Sequence, residues 1–529
     1  MTSVALVANV GHRELFIMFA LTMAVGLAIA FYGYAMDKHF LMYYGDAISH
    51  SIIARKVIDW ADPGLMQLGT GWLPLQHLVL VPFVAIDSLF FSGFAGAAVS
   101  LPSLGITSAL FYKIIREHYF KRDGFRYVAI AIALLYALNP NILYVGITAM
   151  TEALFMLFFV ASAYYFQKWY FMNSNHRTNN SLLYSAIFVS LATLCRYEAW
   201  FLPLLLISVV IAVTSKSKGR FSNRTITILI SIVSLSGVAA WLTHNEYQYG
   251  NILEFSNAQY YSAAWQASVG PFRDSLFLNP VNVSSIYGQM ALAMYGPILI
   301  ATSIAGIFVL ARRIELHKLP FHIFLVLPPI FTITSMLIGI GEMGQESYSW
   351  FNSRFLILLF PILIVLTSVL VKCMLDKIYG NRTVVLVGII GALFVSLLYL
   401  STFGTIVTLT EAKNGFSKGI APYAVQTGKK LGSIYDDGTI MMLTGGLQEH
   451  RIMINSWIPL RQFDEMVENS MWKESFYEPW SFDKWIVISK MPDLDGIKTA
   501  KYWEEKRAEI DNHYKKVYEN EYYEILVLK

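Results

Sequence analysis

Long apolar runs separated by short polar loops dominate the first four hundred residues. Runs of the length a bilayer-spanning helix needs, about 20 mainly apolar residues, lie near 15–35, 97–115, 127–147, 152–171, 182–195, 199–214, 225–243, 291–311, 320–340, 355–375 and 383–403. They predict a mainly α, polytopic membrane protein with about eleven transmembrane helices. Past residue 403 the pattern changes. Short apolar runs at 439–443, 451–455 and 485–489, a helix-like 497–512 and the closing YYEILVLK predict a small soluble α/β domain. The organisation read from the pattern is therefore 1–402 in the membrane and 403–529 outside it.

Composition supports the division. The chain is 56% hydrophobic and 14% charged, where a soluble domain carries about 25% charged residues. Close to half of all the charges fall in 403–529, about a quarter of the length. The basic residues of the membrane part gather between apolar runs: Lys113, Arg116, Lys121, Arg122 and Arg126; Lys168 and Arg177; Lys216, Lys218, Arg220 and Arg224; Arg312, Arg313 and Lys318; Lys372, Lys377 and Arg382. A cytoplasmic N-terminus with eleven spans puts every cluster inside, as the positive-inside rule requires. The predicted location is the cell membrane, with the C-terminal domain extracytoplasmic. The net charge of +4 is spread over these loops and gives no nucleic-acid signal. Cys195 and Cys373 both lie in apolar runs, against a disulfide or metal–thiolate framework. The run at 15–36 is too long for a cleaved signal and reads as a retained span.

This topology leaves 36–96 as a long external loop. Its apolar stretch 73–91 contains Pro74, His77, Pro82 and Asp87 and reads as helices along the outer surface. In 47–60, Ile48, Ile52, Val57 and Trp60 form a stripe opposite Arg55 and Asp59, the pattern of an interfacial helix.

Ionisable groups at membrane depth are costly and mark function by default, and here they gather toward the external end. Asp46, after Gly45, is either a helix cap or a carboxylate at the outer leaflet, with His50 one turn on along the same face. Glu152 opens a helix after Thr151, where its charge suits the positive N-terminus, or it faces Asp46 as a second carboxylate. Arg196-Tyr197-Glu198-Ala199-Trp200 interrupts two apolar runs. It reads as an aromatic-belt hairpin or as an arginine, held by a glutamate, for a lipid phosphate. Arg354 begins a span on the external side, either snorkelling or meeting an anion. Trp72 and His77, in Trp72-Leu73-Pro74-Leu75-Gln76-His77, anchor the loop in the interface or line the same cavity.

Taken in order, these motifs resemble the GT-C superfamily of membrane glycosyltransferases, in particular the polyprenyl-phosphate-sugar-dependent protein O-mannosyltransferases and aminoarabinose transferases. The matching pieces are Gly45-Asp46, Trp72-Leu73-Pro74-Leu75, Thr151-Glu152, Arg196-Tyr197-Glu198-Ala199-Trp200 and Asn352-Ser353-Arg354-Phe355. They span nearly all of 1–402. Asp46 is followed by Ala47 where many relatives have an acidic pair, and Glu152 stands where Asp is common, which leaves the subfamily open. The resemblance implies an inverting transfer of a sugar from a polyprenyl-phosphate donor to a hydroxyl on a glycan, lipid or protein. A phosphate leaving group removes the need for the second, acidic carboxyl of a glycosidase. One base and cations for the departing phosphate are what remain. The resemblance assigns Asp46 as the base and Arg196 and Arg354 as phosphate ligands, with Glu198 orienting Arg196. Tyr197, Trp72, His77, His50 and Glu152 would bind substrate, and Asp46 and Glu152 would hold a divalent cation if one is used. A transporter or flippase of lipid-linked sugars is the rival reading, and it should show repeats or broken helices at mid-membrane. A non-catalytic partner in glycan assembly is the other.

Overall fold

The computed structural model describes residues 11–121, 125–171, 179–215, 220–257, 262–313, 318–346, 349–377, 382–402, 406–443, 446–465, 477–491 and 499–529. Arg122, Arg177, Lys216 and Lys218 lie outside the described residues. The chain is mainly helical and divides into two compact units. One comprises Met1–Tyr32, Thr70–Gln76 and Ala98–Glu411, and the other Gly33–Gly69, His77–Ala97 and Ala412–Lys529. Most of the 36–96 loop, assigned from sequence to the membrane domain, thus shares a unit with the C-terminal segment.

Among the described residues seven helices are long and apolar enough to cross a bilayer: His12–Met36, Phe94–His118, Tyr197–Thr214, Arg224–Tyr249, Pro280–Arg312, Leu319–Leu337 and Ser353–Lys377. The run at 127–147 is not one span. It divides into helices Arg126–Ala137 and Pro140–Val145 because Asn139 caps the second, accepting from the Asn141 and Ile142 amides, and Pro140 fits its first turn. The 182–195 run forms a helix of 15 residues, Asn179–Thr193, about 22 Å long against a hydrocarbon core of about 30 Å. Helix Leu75–Val84 has 10 residues and Asp87–Ser92 has 6, so neither crosses a bilayer.

The Asn139 break has a second use. Gly296 (φ 75°) interrupts helix Pro280–Arg313 beside Pro297, which frees carbonyls of the preceding turn. The carbonyl of Met294 accepts from the side-chain amides of Asn139 (3.1 Å) and Asn141 (3.2 Å). Asn141 in turn accepts from Thr408, through its backbone oxygen from the hydroxyl (3.0 Å) and through Oδ1 from the amide (3.2 Å). Helix Val407–Ser417 is thereby fixed at its start, with Glu411 one turn on.

A hairpin of β1 (Gly344–Glu346) and β2 (Ser349–Phe351) belongs to the membrane unit. In the second unit β3 (Ile440–Met442), β4 (Phe463–Glu465), β5 (Trp485–Ser489), β6 (Tyr514–Glu519) and β7 (Tyr523–Leu528) form a sheet in the order β4-β3-β5-β7-β6. β3 pairs in parallel with β4 and β5, while β7 runs antiparallel to β5 and β6. The run WIVI is apolar without alternation because β5 is central and covered on both faces. Trp503 and Ile510, seven residues apart on helix Thr499–His513, join Met441, Ile486, Ile488 and Leu526 in the core. Each contributes about 1.5–3 kcal/mol on burial.

In this unit the apolar run 451–455 is part of helix Leu447–Ser456. All of His450–Ser456 is buried, so neither period could surface in so short a run. Helix Gly45–Lys56 does not present a polar face to water. Arg55 donates to Asp59 (2.8 Å), to Asp87 (2.7 Å) and to the Val84 carbonyl (2.5 Å), and Asp59 also accepts from Arg461 (3.0 Å). Arg55 and Asp59 are both buried. Ion pairing satisfies the charged stripe inside the protein, and an amphipathic pattern alone cannot distinguish that from a membrane surface.

Candidate functional site

In the membrane unit, the end of Asn179–Thr193 releases Arg196 in an extended conformation (φ −149°) before a single 3-10 turn, Tyr197–Ala199. That geometry sends alternate side chains of the motif to different partners. Arg196 pairs with Glu198 (2.6 Å) and Glu152 (2.7 Å), and also donates to the Thr151 hydroxyl (3.1 Å). Tyr197 stacks on Phe255 with centroids 5.3 Å apart, accepts from the Trp241 indole (3.2 Å) and donates to the Gly71 carbonyl (3.4 Å). The segment carrying Trp72 is held further by Gln76, which donates to the Ala149 carbonyl (3.1 Å), and by the Thr70 hydroxyl on Asn245.

Arg354 arrives from the hairpin. Asn352 adopts the left-handed conformation (φ 57°), which Asn tolerates better than most residues, and a 3-10 segment Ser353–Leu359 follows. The turn exposes two backbone amides, and Glu411 accepts from both, Asn352 at 2.8 Å and Ser353 at 3.0 Å, as well as from the Ser353 hydroxyl. Arg354 stands 3.4 Å from Glu152 Oε1 and 3.9 Å from Glu411. Two guanidiniums therefore converge on one carboxylate oxygen, and both lie against the Phe355 ring, at 4.7 Å and 5.1 Å from its centre. Glu152 is fully buried, and its Oε2 has no hydrogen-bond partner among the described residues. Burial pushes the Glu411 carboxyl above its usual range, against the opposing pull of Arg354 and of the Ser353 and Asn352 hydrogen bonds.

This cluster can exchange an internal carboxylate for an external anion. Arg196 is committed at short, charge-assisted distances, while the Arg354 contacts are longer than the 2.7–2.9 Å usual for such bonds. The same residues do not fit a divalent cation at Glu152. Two guanidiniums press on its Oε1, and among the described residues no group of three or more His, Cys, Asp or Glu is arranged to hold a metal ion.

In the second unit, helix Gly45–Lys56 begins two residues earlier than a capping role for Asp46 requires. Its cap position is Tyr44, and Asp46 lies in the first turn. Gly45 has no Cβ where the Leu447 side chain closes on it, and the Ser49 hydroxyl meets His450 Nδ1 at 2.9 Å. These contacts pack the helix on Leu447–Ser456, whose Arg451 is 2% exposed. Arg451 donates to Gln448 Oε1 (2.8 Å) and the Gly415 carbonyl (3.4 Å), and its Nε has no partner among the described residues. Burial lowers its pKa to about 10, with the Asp46 charge pulling the other way. Arg451 went unread in the sequence, because nothing near it in the chain signals a partner on the first loop.

His50 and His77 meet each other rather than standing apart. His50 Nδ1 lies 2.8 Å from His77 Nε2, both rings are buried, and burial holds the His77 imidazole well below its ordinary value. Such a pair locks helix Gly45–Lys56 to Leu75–Val84.

No family model and no curated protein matches the sequence. Solved structures do. The apo ArnT of Cupriavidus metallidurans aligns with a TM-score of 0.55 and 12% identity over 98% of both chains. The same protein bound to undecaprenyl phosphate gives 0.52 and 13%, again over 98% of both. The oligosaccharyltransferase AglB of Archaeoglobus fulgidus, in complex with an inhibitory peptide and a dolichol-phosphate, gives 0.51 and 11% over 95% of this chain and 72% of that one. The chain thus carries the GT-C fold of membrane glycosyltransferases, the fold its motifs resemble.

Proposed function

We propose that the protein is an inverting glycosyltransferase that moves a hexose or pentose from a polyprenyl-phosphate donor to a hydroxyl acceptor at the outer membrane face. The observation that carries this reading is the convergence of Arg196 and Arg354 on Glu152 Oε1 beside Phe355. A lipid phosphate brings several strong acceptor oxygens to guanidiniums that already share one carboxylate oxygen. Arg354, with the longer contacts, takes the phosphate, and Arg196, fixed by Glu198, holds the geometry. Charge developing on the leaving phosphate meets donors already in place. Asp46 accepts the acceptor's proton as its oxygen attacks the anomeric carbon, and one displacement inverts that centre. Trp72 and Tyr197 contribute apolar and hydroxyl-bearing surface for substrate. The fold match to proteins bound to undecaprenyl phosphate and dolichol-phosphate supports the donor class.

A transport reading draws no support from the one kink described above. The carbonyl that Gly296 frees is closed by two asparagine amides, whereas a transporter's broken helix offers such groups to its cargo. The test is to incubate purified protein in nanodiscs with a panel of polyprenyl-phosphate sugars and hydroxyl acceptors. Glycosylated acceptor and free polyprenyl phosphate in equal amounts are expected from one donor. Lipid-linked sugar crossing a vesicle bilayer intact, with no product on any acceptor, would favour the transporter.

A further inference from the structure

A cavity of about 480 Å³ in the membrane unit is lined by Lys121, Lys318, Lys372, His118 and His322, with Asp376 as its one carboxylate. It does not belong to the arginine cluster. Arg354 opens the span Ser353–Lys377 and Lys372 lies near its other end, about 27 Å along the helix, nearly a full hydrocarbon core away.

The three lysines come from three places in the chain. Lys121 follows helix Phe94–His118, Lys318 is the residue before Leu319–Leu337, and Lys372 lies toward the end of Phe360–Lys377. The positive-inside pattern explains lysines at this end of the helices, but it scatters them into solvent. Here three ammonium groups and two imidazoles surround one space against a single carboxylate. The three ammonium charges around one space favour an anion there, and a space of this volume admits one. His118 stacks on Phe171 with centroids 4.5 Å apart, and His322 Nδ1 is held by the Lys318 carbonyl at 2.8 Å, so both rings are fixed. Tyr119, Phe125, Leu310 and Val369 complete the wall and suit an anion attached to an apolar stem.

We propose that this cavity binds a phosphate-bearing anion, at the end of the membrane helices away from the arginine cluster. The chemistry is that of a phosphate mono- or diester, and its source is an anionic phospholipid headgroup or free phosphate. Basic pockets between membrane helices bind lipid headgroups in this way.

The test uses the full chain. Native mass spectrometry in mild detergent would follow retention of phosphatidylglycerol against phosphatidylcholine, and calorimetry would follow inorganic phosphate. Wild type should retain phosphatidylglycerol selectively, and Lys121→Gln/Lys318→Gln/Lys372→Gln should lose affinity on the order of 100-fold. The corresponding triple Arg variant should retain it, which separates lost charge from lost fold. Lys168→Gln/Lys377→Gln, equally basic positions that do not line the cavity, should change little. Binding of inorganic phosphate alone, lost in the triple Gln variant, would support the site and assign free phosphate as the source. Retention by the triple Gln variant equal to wild type, an equal loss in the Lys168/Lys377 control, or binding of neither probe by wild type would overturn the proposal.

Discussion

Arg196 and Arg451 are both largely withdrawn from water, and they are compensated in different ways. Arg196 has two carboxylates at hydrogen-bond distance, a hydroxyl and an aromatic face. Arg451 also lies over an aromatic ring, that of Phe416 at 5.8 Å, but among the described residues it donates only to a neutral side-chain amide and a backbone carbonyl, and its pKa falls to about 10 even with the Asp46 charge supporting it. An ion pair closed on itself holds a shape. A guanidinium short of carboxylates makes the protein sensitive to the Asp46 charge that supports it. In the proposed function the membrane cluster is a preorganised anion receptor, and Arg451 is a buried cation that Asp46 helps to stabilise.

The largest effect expected from breaking this contrast is at Asp46. Asp46→Asn should lower turnover by about 10²–10⁴, the usual worth of a positioned acid–base group. It should also destabilise the protein, because Arg451 loses its counter-charge. Adding Arg451→Gln to Asp46→Asn should then restore the melting temperature but not turnover. Recovery of turnover in the double variant would mean that Asp46 acts only through packing.

Next in size is Arg196→Lys, which keeps the charge but cannot bridge Glu152 and Glu198 with a planar fork. Donor kcat/KM should fall about 10- to 100-fold, the range of charge-assisted hydrogen bonds, measured with a soluble short-chain polyprenyl donor. An unchanged value would remove Arg196 from the donor site.

Arg451→Gln alone tests the other half. It removes a buried guanidinium whose hydrogen-bond partners are a neutral amide and a backbone carbonyl, so the melting temperature should hold or rise. A large fall in melting temperature would show that the guanidinium is needed for packing.

The smallest effect concerns Glu411. Its folded pKa is raised from 4.5 by burial. Any stability it adds is therefore present below pH 4.5 and is lost as pH rises through the higher folded value. Wild type should lose melting temperature relative to Glu411→Gln as pH is raised from about 4.5 toward neutrality. A constant difference across that range would show that the carboxyl titrates as an ordinary one.

How much of this was legible follows from where partners lie in the chain. The Arg196–Glu198 pair could be read directly, since only Tyr197 separates its members and apolar runs flank them. Glu152 and Arg354 were legible as charges at the ends of spans, though not their meeting on one oxygen. Arg451 and Glu411 were not legible. The first responds to Asp46 at the other end of the sequence, and the second owes its place to a turn at Asn352 and to Asn141 holding Thr408. The burial of Arg55 and Asp59 escaped reading for a similar reason, since their covering residues lie at 84–87 and 460–461. The split of 127–147 did have a local signal, Asn139 before Pro140, outweighed by the length of the apolar run.

In the proposed reaction the chain forms a glycosidic bond at the expense of a polyprenyl-phosphate sugar, with Asp46 taking the acceptor's proton. The most direct measurement is single-turnover transfer by saturated enzyme in nanodiscs, comparing wild type with Asp46→Asn and following both glycosylated acceptor and released polyprenyl phosphate. The expected result is equal yields of the two products from wild type, a rate about 10²–10⁴ lower in the variant, and donor affinity little changed. Transfer by Asp46→Asn at the wild-type rate, or saturable donor binding by wild type with no sugar transferred to any acceptor, would contradict it.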